Sequence, residues 1–220
     1  MVARANQLIY SCGVSEIINK TTLKTRLKIQ LESPLVILGM HRSGTSLTTR
    51  LIADCGVFPG DRLSINAESV YFRKLNEKVY RAAGSSWSDI QEVCGKMDDE
   101  EFVSDQATRL ERRIFGGNGI KRFFSQQLWS QLQGGGKADW GFKDPRALLA
   151  LDLWNEAAPD IKYIGIFRHP LAVAESVSRR SGDRISMEQA LALWHHYNRI
   201  LYDAWKRDRF PMLCFDWSEQ

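Results

Sequence analysis

The sequence predicts an α/β protein whose central, mostly parallel sheet is flanked by helices, and three observations lead to this class. Short apolar runs that suit buried strands occur at 35–38, 162–167 and 211–215. Segments in which apolar residues recur at helical spacing lie between these runs, so strands alternate with helices. Glycine or proline stands at many of the expected boundaries. Such alternation favours parallel pairing with right-handed crossovers.

The first half of the chain is expected to hold one strand and a group of helices. The apolar run at 35–38 ends at Gly39, which predicts a buried strand that enters a turn. A helix is expected over 43–55, because Leu47 and Leu51 have helical spacing there. Further helical patterns occupy 68–84, 99–115 and 120–133.

The second half of the chain alternates more regularly. Helices are expected at 145–157 and 170–180, each with a proline in its first turn. Ser186 and Gln189 have the spacing of a capping box, which predicts the start of a last, long helix. Strands are expected at 139–142, 162–167 and 211–215.

Charge divides the chain into a basic N-terminal arm at 1–33 and one domain at 34–220, with a helical insertion at about 62–137. The net charge is +4, and residues 1–30 contain five basic residues and one acidic residue, so the excess lies in the arm. A nucleic-acid partner is excluded, because such binding requires a basic face on the fold itself. Attraction of the arm to a membrane surface remains open.

Cysteine use and hydropathy predict a cytoplasmic protein. The four cysteines form no C-x-x-C pair and have no zinc spacing, so we expect reduced thiols and no metal site. No apolar run approaches the roughly 20 residues that span a bilayer, so no transmembrane segment is predicted. The first 20 residues lack a continuous apolar region, so no signal peptide is predicted.

The stretch LGMHRSGTSL, which follows the first strand, predicts an anion-binding loop. Gly39 and Gly44 have the spacing of a nucleotide-binding P-loop and Ser46 supplies its final hydroxyl, but Thr45 replaces the lysine. Backbone N–H groups at such a helix start converge on an anion. Arg42 can supply a planar guanidinium that binds the anion bidentately. The fold is therefore expected to be P-loop-like, with three layers.

The loop differs from that of an ATPase in its metal chemistry. ATP hydrolysis uses Mg²⁺ held by the loop hydroxyl and by an aspartate at a strand end. The strand that ends at Phe167 is followed by Arg168, and Asp216 is the strand-end acid that could substitute. This pattern favours a donor whose transferred group carries less charge than a γ-phosphate, and sulfuryl is such a group.

The loop resembles the 5′-phosphosulfate loop of sulfotransferases that use 3′-phosphoadenylyl sulfate (PAPS). The Arg-Ser-Gly-Thr form is similar to that of the bacterial and tyrosylprotein branch. The resemblance implies that the 5′ end of the donor is bound by Arg42, Ser43, Gly44, Thr45 and Ser46. The tryptophan that stacks on adenine in the cytosolic enzymes is replaced by leucine here.

A second signature, FRHPLAVAESVSRR, resembles the segment that binds the donor's 3′-phosphate. Arg168 and Ser176 have the family's separation of eight residues between a strand-end arginine and a helix serine. Arg168 leaves its strand at the carboxyl edge of the sheet, where ligands bind in such folds. Ser176 lies in the first two turns of the next helix, so both side chains can reach one phosphate.

Two further matches concern the transfer step. FKDPR resembles the family's Lys-Asp-Pro, which implies that Lys143 contacts the sulfuryl group or the bridging oxygen. Glu68 precedes Leu75 by seven positions, as does an acid in related bacterial enzymes that is a candidate base. Glu68 is equally explained as an acid favoured at a helix N-terminus. His41 is a second candidate base, with a backbone contact as the alternative.

These matches imply in-line transfer of a sulfuryl group from PAPS to an acceptor hydroxyl, with a saccharide or other small molecule preferred and no metal required. Arg42 and Lys143 would stabilise charge while Glu68 removes the proton. One alternative is a P-loop kinase that uses ATP on a small molecule or nucleotide. Another is a non-catalytic module with the PAPS fold. The sequence contains no signal for oligomeric state.

Overall fold

The computed structural model describes residues 31, 33–116, 119–158, 160–182 and 184–216, and their core is a parallel sheet. The predicted arm at 1–33 lies almost wholly outside the described residues. The strands are β1 (Leu35–Leu38), β2 (Gly141–Lys143), β3 (Lys162–Phe167) and β4 (Met212–Cys214). They are all parallel, in the order β2-β1-β3-β4. The α/β class with a parallel sheet flanked by helices is confirmed.

Helices connect the strands, as the alternating sequence pattern predicts. Between β1 and β2 lie α1 (Thr45–Asp54), α2 (Val70–Ala82), α3 (Gln91–Met97), α4 (Glu100–Phe115), a 3₁₀ turn (Ile120–Arg122) and α5 (Gln126–Gln133). Between β2 and β3 lie α6 (Arg146–Leu149) and α7 (Leu151–Ala157). Between β3 and β4 lie α8 (Pro170–Ser181) and α9 (Met187–Asp208), which pack along each other.

Short polar side chains fix several helix starts. Ser69, Asp99 and Ser125 each accept a hydrogen bond from the backbone N–H three residues further on, which satisfies a donor that the helix cannot. The predicted capping box is confirmed, because Ser186 and Gln189 exchange both bonds at the start of α9.

Two helix predictions differ from the structure, and one helix was not predicted. The helix expected at 145–157 is two helices, because Ala150 leaves the helical conformation (φ −117, ψ 31). The helix expected at 120–133 is a 3₁₀ turn followed by α5, because the extended backbone of Ser125 (φ −64, ψ 157) starts a new helix. Helix α3 has no counterpart among the predicted elements.

Helix α1 forms where expected, but its apolar stripe does not face the core. Leu47 and Leu51 are 50% and 56% exposed, whereas Thr45, Thr48 and Thr49 are buried. The hydroxyls of Thr48 and Thr49 donate to carbonyls one turn back in the chain, so they are satisfied away from water. Two exposed leucines are therefore left beside the glycine loop.

An aromatic cluster joins α2 to β2. The rings of Phe72 and Phe142 stack with centroids 4.0 Å apart, and Trp140 and Trp154 pack around them. All four side chains are almost completely buried. The cluster holds the start of α2 close to the end of β2, so the residues at these two points have defined relative positions.

Register brings all four strand ends to one edge of the sheet. Ile37 of β1 pairs with Lys143, and Leu38 pairs with Gly165 of β3. Phe167 of β3 in turn pairs with the last residue of β4. Because parallel strands end at the same edge, the segments that follow β1, β2, β3 and β4 meet there.

A buried polar network fixes the segment after β2. Asp144 accepts a hydrogen bond from Asn76 Nδ2 at 3.0 Å and another from Arg146 Nε at 2.8 Å. Trp154 Nε1 donates to Asn76 Oδ1 at 2.9 Å. Asp144 and Asn76 are fully buried, so each partner satisfies a group that has no access to water.

Asn76→Ala should lower the free energy of unfolding by about 3 kcal/mol, because it leaves the buried Asp144 carboxylate and the Trp154 N–H short of a partner. Urea denaturation followed by tryptophan fluorescence measures the change. The variant Gln127→Ala, at an exposed position, serves as a control, and its free energy of unfolding should stay within about 0.5 kcal/mol of that of the parent chain. Equal stability of the two variants would contradict the network's role.

Candidate active site

A cavity of about 760 Å³ opens at the carboxyl edge of the sheet, and segments after all four strands line it. Glu68 is the one carboxylate among its described lining residues. The basic side chains that line it are Arg42, Arg73, Lys143, Arg146, Arg168, Arg180 and Arg184. This imbalance produces a positive potential inside the cavity, which favours an anionic ligand.

The glycine loop after β1 presents unpaired backbone donors to this cavity. Gly44 precedes α1 with φ +95, and a Cβ at this position would collide with the ring of Phe215. The N–H groups of Gly44, Thr45 and Ser46 have no acceptor among the described residues. Arg42 also adopts a positive φ, +70, a conformation that bulky residues rarely hold. Such an arrangement of N–H groups at a helix start is suited to an anion.

Arg42, Ser176 and Arg168 form one contact group beside the loop. Arg42 Nε donates to Ser176 Oγ at 2.8 Å, and Arg168 Nη1 lies 3.5 Å from the Arg42 carbonyl oxygen. The sequence pairs Ser176 with Arg168, but in the structure the serine contacts Arg42. Partial burial lowers the pKa of Arg42, and the charges of Arg180 and Arg168 lower it further. The three cations repel one another across a space that an anion could fill.

Arg168 is held by the two residues that follow β4 and by one residue of α9. Asp216 accepts from Arg168 Nε at 3.4 Å and from the backbone N–H of His169. The Phe215 ring lies 4.7 Å from the guanidinium, and Trp194 Nε1 donates to the Arg168 carbonyl at 2.9 Å. Phe215 follows directly after β4, so its place at the end of a parallel strand could have indicated it.

Lys143 connects the glycine loop to Glu68. Its Nζ lies 3.5 Å from Glu68 Oε1 and 3.5 Å from Ser46 Oγ, and its side chain is 2% exposed. Burial lowers the pKa of Lys143, while the negative charges of Glu68 and Asp144 oppose that shift. The ammonium group therefore stands between the proposed anion site and the candidate base.

The turn that carries Glu68 is tied to both sides of the cavity. Ser64 Oγ donates to Glu68 Oε2 at 3.4 Å. Ser46 Oγ donates to the Asn66 carbonyl at 2.7 Å, and Arg180 Nη1 donates to the Asn66 side chain at 3.2 Å. Asn66 has no sequence motif, yet it links the glycine loop, α8 and the segment that positions Glu68.

His41 lines the cavity as a neutral imidazole. Its ring lies 4.8 Å from that of Trp87, and its Nε2 is buried without a hydrogen-bond partner among the described residues. Burial, followed by the positive charges of Arg146 and Lys143, lowers the pKa of His41 to about 3. Such an imidazole binds a proton too weakly to serve well as a general base near pH 7. Of the two candidates, the chemistry favours Glu68.

A model described as the sulfotransferase family matches residues 34–216 of the chain. The chain belongs to the sulfotransferase family. The expected family is therefore confirmed, while the bacterial or tyrosylprotein branch stays a prediction. No curated protein matches this sulfotransferase.

Three solved structures are similar to this sulfotransferase. The sulfotransferase domain of the Synechococcus PCC 7002 olefin synthase is 21% identical, with a TM-score of 0.47; the match covers 86% of this chain and 68% of that domain. The sulfotransferase domain from the curacin biosynthetic pathway is 16% identical, with a TM-score of 0.46 and coverages of 84% and 68%. A sulfotransferase from Mycobacterium tuberculosis H37Rv is 15% identical, with a TM-score of 0.39 and coverages of 88% and 66%. The family assignment rests on the family model.

Two further properties of the sulfotransferase concern the metal and membrane predictions. Within the described ranges, no three His, Cys, Asp or Glu side chains are grouped so that they could hold a metal ion. No helix in the described part of the chain combines the length and apolarity that crossing a bilayer requires. Cys55, Cys94 and Cys214 are free thiols, and Cys12 lies outside the described residues.

His41 should make the stability of the sulfotransferase fall in acid. The ordinary pKa of 6.5 applies to the unfolded chain and a pKa of about 3 to the folded one, so below pH 6.5 only the unfolded chain binds this proton. Lowering the pH from 7 to 5 should therefore cost about 2 kcal/mol at this residue. Urea denaturation at both pH values should show that the free energy of unfolding of His41→Gln falls less than that of the parent chain, by this amount. The control Gln127→Ala, at an exposed residue that carries no titratable group, should lose as much stability as the parent chain.

Proposed function

We propose that this sulfotransferase uses PAPS as donor and transfers its sulfuryl group to the hydroxyl of a small acceptor, with a saccharide preferred. One observation carries the proposal: the Arg42–Ser176–Arg168 contact group adjoins the unpaired N–H groups of the glycine loop. A nucleotide with anions at both its 3′ and 5′ positions matches two adjoining anion sites. A nucleotide charged only at its 5′ end would leave Arg168 without a ligand.

The long contacts of Arg168 support donor binding. Arg168 lies 3.4 Å from Asp216 and 3.5 Å from the Arg42 carbonyl, distances longer than the roughly 2.7–2.9 Å of charge-assisted bonds. A 3′-phosphate can replace them with shorter bonds to Arg168 and Ser176. The N–H groups of residues 44–46 and the guanidinium of Arg42 then bind the phosphosulfate end.

Apolar side chains near the loop suit the adenine ring. Leu47 replaces the stacking tryptophan of the cytosolic enzymes, and it lines the cavity together with Phe215. The two side chains are 50% and 37% exposed, so their apolar surface is available to a planar base. We assign the adenine contact to Phe215 and Leu47 jointly.

The transfer step follows from the neighbours of Lys143. The acceptor oxygen forms a bond to sulfur while the bond from sulfur to the donor phosphate oxygen breaks, and the acceptor proton passes to Glu68. Lys143 and Arg42 stabilise the charge that remains on the departing phosphate. Helices α2 to α5, within the proposed insertion at 62–137, would shape the acceptor side of the cavity. The reaction requires no metal in this scheme.

The two alternatives have less support from the contacts. A kinase needs a strand-end acid for Mg²⁺, but the Asp216 carboxylate accepts a hydrogen bond from the His169 N–H and lies 3.4 Å from the positive charge of Arg168, which opposes binding of a cation. A non-catalytic module has no need for a buried Lys143–Glu68 pair at the cavity wall, since burying charges is costly. Both observations favour the transferase.

Adenosine 3′,5′-bisphosphate should bind in the presence of EDTA. The variant Arg168→Ala should weaken this binding by about 100-fold, because one charge-assisted contact to the 3′-phosphate is lost. Isothermal titration calorimetry measures both affinities. Arg179→Ala removes an exposed arginine of α8, the helix that follows Arg168, at a position that does not line the cavity, and this variant should bind within about twofold of the parent chain. Adenosine 5′-diphosphate should bind more weakly than the bisphosphate.

The same titration separates the alternatives. Tight binding of ATP only with Mg²⁺, and indifference to a 3′-phosphate, would establish the kinase. Bisphosphate binding without transfer of radiolabelled sulfur from PAPS to any of a broad panel of sugars and alcohols would establish the non-catalytic module.

Glu68→Gln should lower kcat by about 10²–10⁴-fold, because the amide cannot take the acceptor proton. Transfer of radiolabelled sulfur to the best acceptor of the panel gives kcat, and calorimetry with the bisphosphate shows whether the donor site is intact. Glu100→Gln, an exposed acid at the start of α4, is the control. A variant with unchanged kcat would remove Glu68 from the mechanism and leave it as a partner of Lys143.

A further inference from the structure

A second, smaller cavity lies outside the active site, at the start of α2, and we call it the α2 pocket. Its volume is about 230 Å³, below the roughly 300–1,000 Å³ of pockets that hold whole ligands. It is lined by five basic residues: Arg62, Lys74, Lys78, Arg113 and Arg122. No carboxylate occurs among its described lining residues.

The five cations come from four separate segments. Arg62 belongs to the turn before α2, and Lys74 and Lys78 lie one turn apart on α2. Arg113 lies in the last turn of α4, and Arg122 ends the 3₁₀ turn. All five are exposed, and none has an ion-pair partner among the described residues. Like charges brought together by tertiary structure repel one another unless an anion joins them.

Tyr71 shows that two of these cations share one wall of the pocket. Its hydroxyl donates to the Arg113 carbonyl at 2.6 Å. Burial raises the pKa of Tyr71 to about 12, and Arg113 and Arg122 are near enough to oppose that rise. The ring of Phe123 adds an apolar floor. Arg113 and Arg122 are therefore close enough to act on one group at this wall of the pocket.

A single turn separates the α2 pocket from the active site. The backbone N–H of Val70 donates to the Arg62 carbonyl at 2.9 Å, and that of Ser64 donates to the Glu68 carbonyl at 2.8 Å. Glu68 lines the active-site cavity, whereas Arg62 and Ser69 line the α2 pocket. On helix α2 itself, Arg73 lines the active-site cavity and Lys74 lines the α2 pocket.

We propose that the α2 pocket is a second anion site, separate from the donor cavity, which binds a sulfate or phosphate group, either free or as the monoester of a larger molecule. Its volume is too small to enclose a whole nucleotide, and its five cations match the charge and multiple acceptor oxygens of a single sulfate or phosphate group. The site does not depend on the identity of the sulfuryl donor.

The test is a titration of the full chain, labelled with ¹⁵N, with sodium sulfate, glucose 6-phosphate or glucose 6-sulfate at constant ionic strength. Amide signals of residues 69–75 and 119–123 should shift and saturate. The double variant Lys74→Ala/Arg122→Ala should weaken binding by about tenfold or more, and Lys78→Ala should weaken it by about threefold or more. Arg81 and Lys121 are exposed residues that neighbour the site without lining it. The control variants Arg81→Ala and Lys121→Ala should therefore bind with an affinity within about twofold of the parent chain.

The ligands and the active-site probe distinguish the outcomes. Equal affinity for sulfate and the esters assigns the site to a free anion, and tighter binding of an ester assigns it to a larger molecule. Amide shifts that never saturate, or equal losses of affinity in the control variants, would show that the anions respond only to diffuse surface charge. Either result would overturn the proposal. Adenosine 3′,5′-bisphosphate, titrated separately, should shift residues 42–46 at concentrations too low to shift 119–123, a segment that lines only the α2 pocket. If the bisphosphate failed to bind, the proposed donor would be refuted, but the proposed anion site in the α2 pocket would not be affected.

Discussion

The active site depends on the parallel register of β1 between β2 and β3. A central strand has two neighbours, and in a parallel sheet both end at the edge where its own loop begins. The glycine loop after β1 therefore meets Lys143 on one side and Arg168 on the other. Antiparallel pairing of either neighbour would send one of these side chains to the opposite edge. Parallel pairing alone thus joins a backbone anion site to two cations that lie far apart in the chain.

Concentrating cations at one edge creates repulsion, and the chain relieves it in two distinct ways. Arg146 is bound at 2.8 Å to Asp144, which is fully buried and held by Asn76, so this pair is part of the scaffold. Arg168 has an acceptor at 3.4 Å, and Lys143 has two at 3.5 Å. Such long contacts are readily exchanged for shorter bonds to an anion. Geometry therefore separates the structural cation from those available to a ligand.

The turn from residue 62 to residue 70 joins the two basic cavities. One side places Glu68 beside Lys143, and Asn66 on the same turn contacts both Ser46 and Arg180. The other side contributes Arg62 to the α2 pocket. An anion bound there would hold the turn that carries the candidate base, so a site outside the cavity is mechanically connected to the chemistry inside it.

Local patterns in the sequence determined the alternation of strands and helices, the capping of α9 and the short motifs around Arg42 and Arg168, because each depends on residues close together in the chain. Lys143 and Glu68 also became candidates from the sequence, through the resemblance of their short motifs to those of sulfotransferases. Only the tertiary structure decided that α1 packs by its threonines and that Ser176 contacts Arg42. It also decided that Asn66 and Phe215 line the active-site cavity and that five cations meet at the α2 pocket. These features arise from contacts between segments separated by tens of residues, and strand register and packing, rather than any local pattern, bring such segments together.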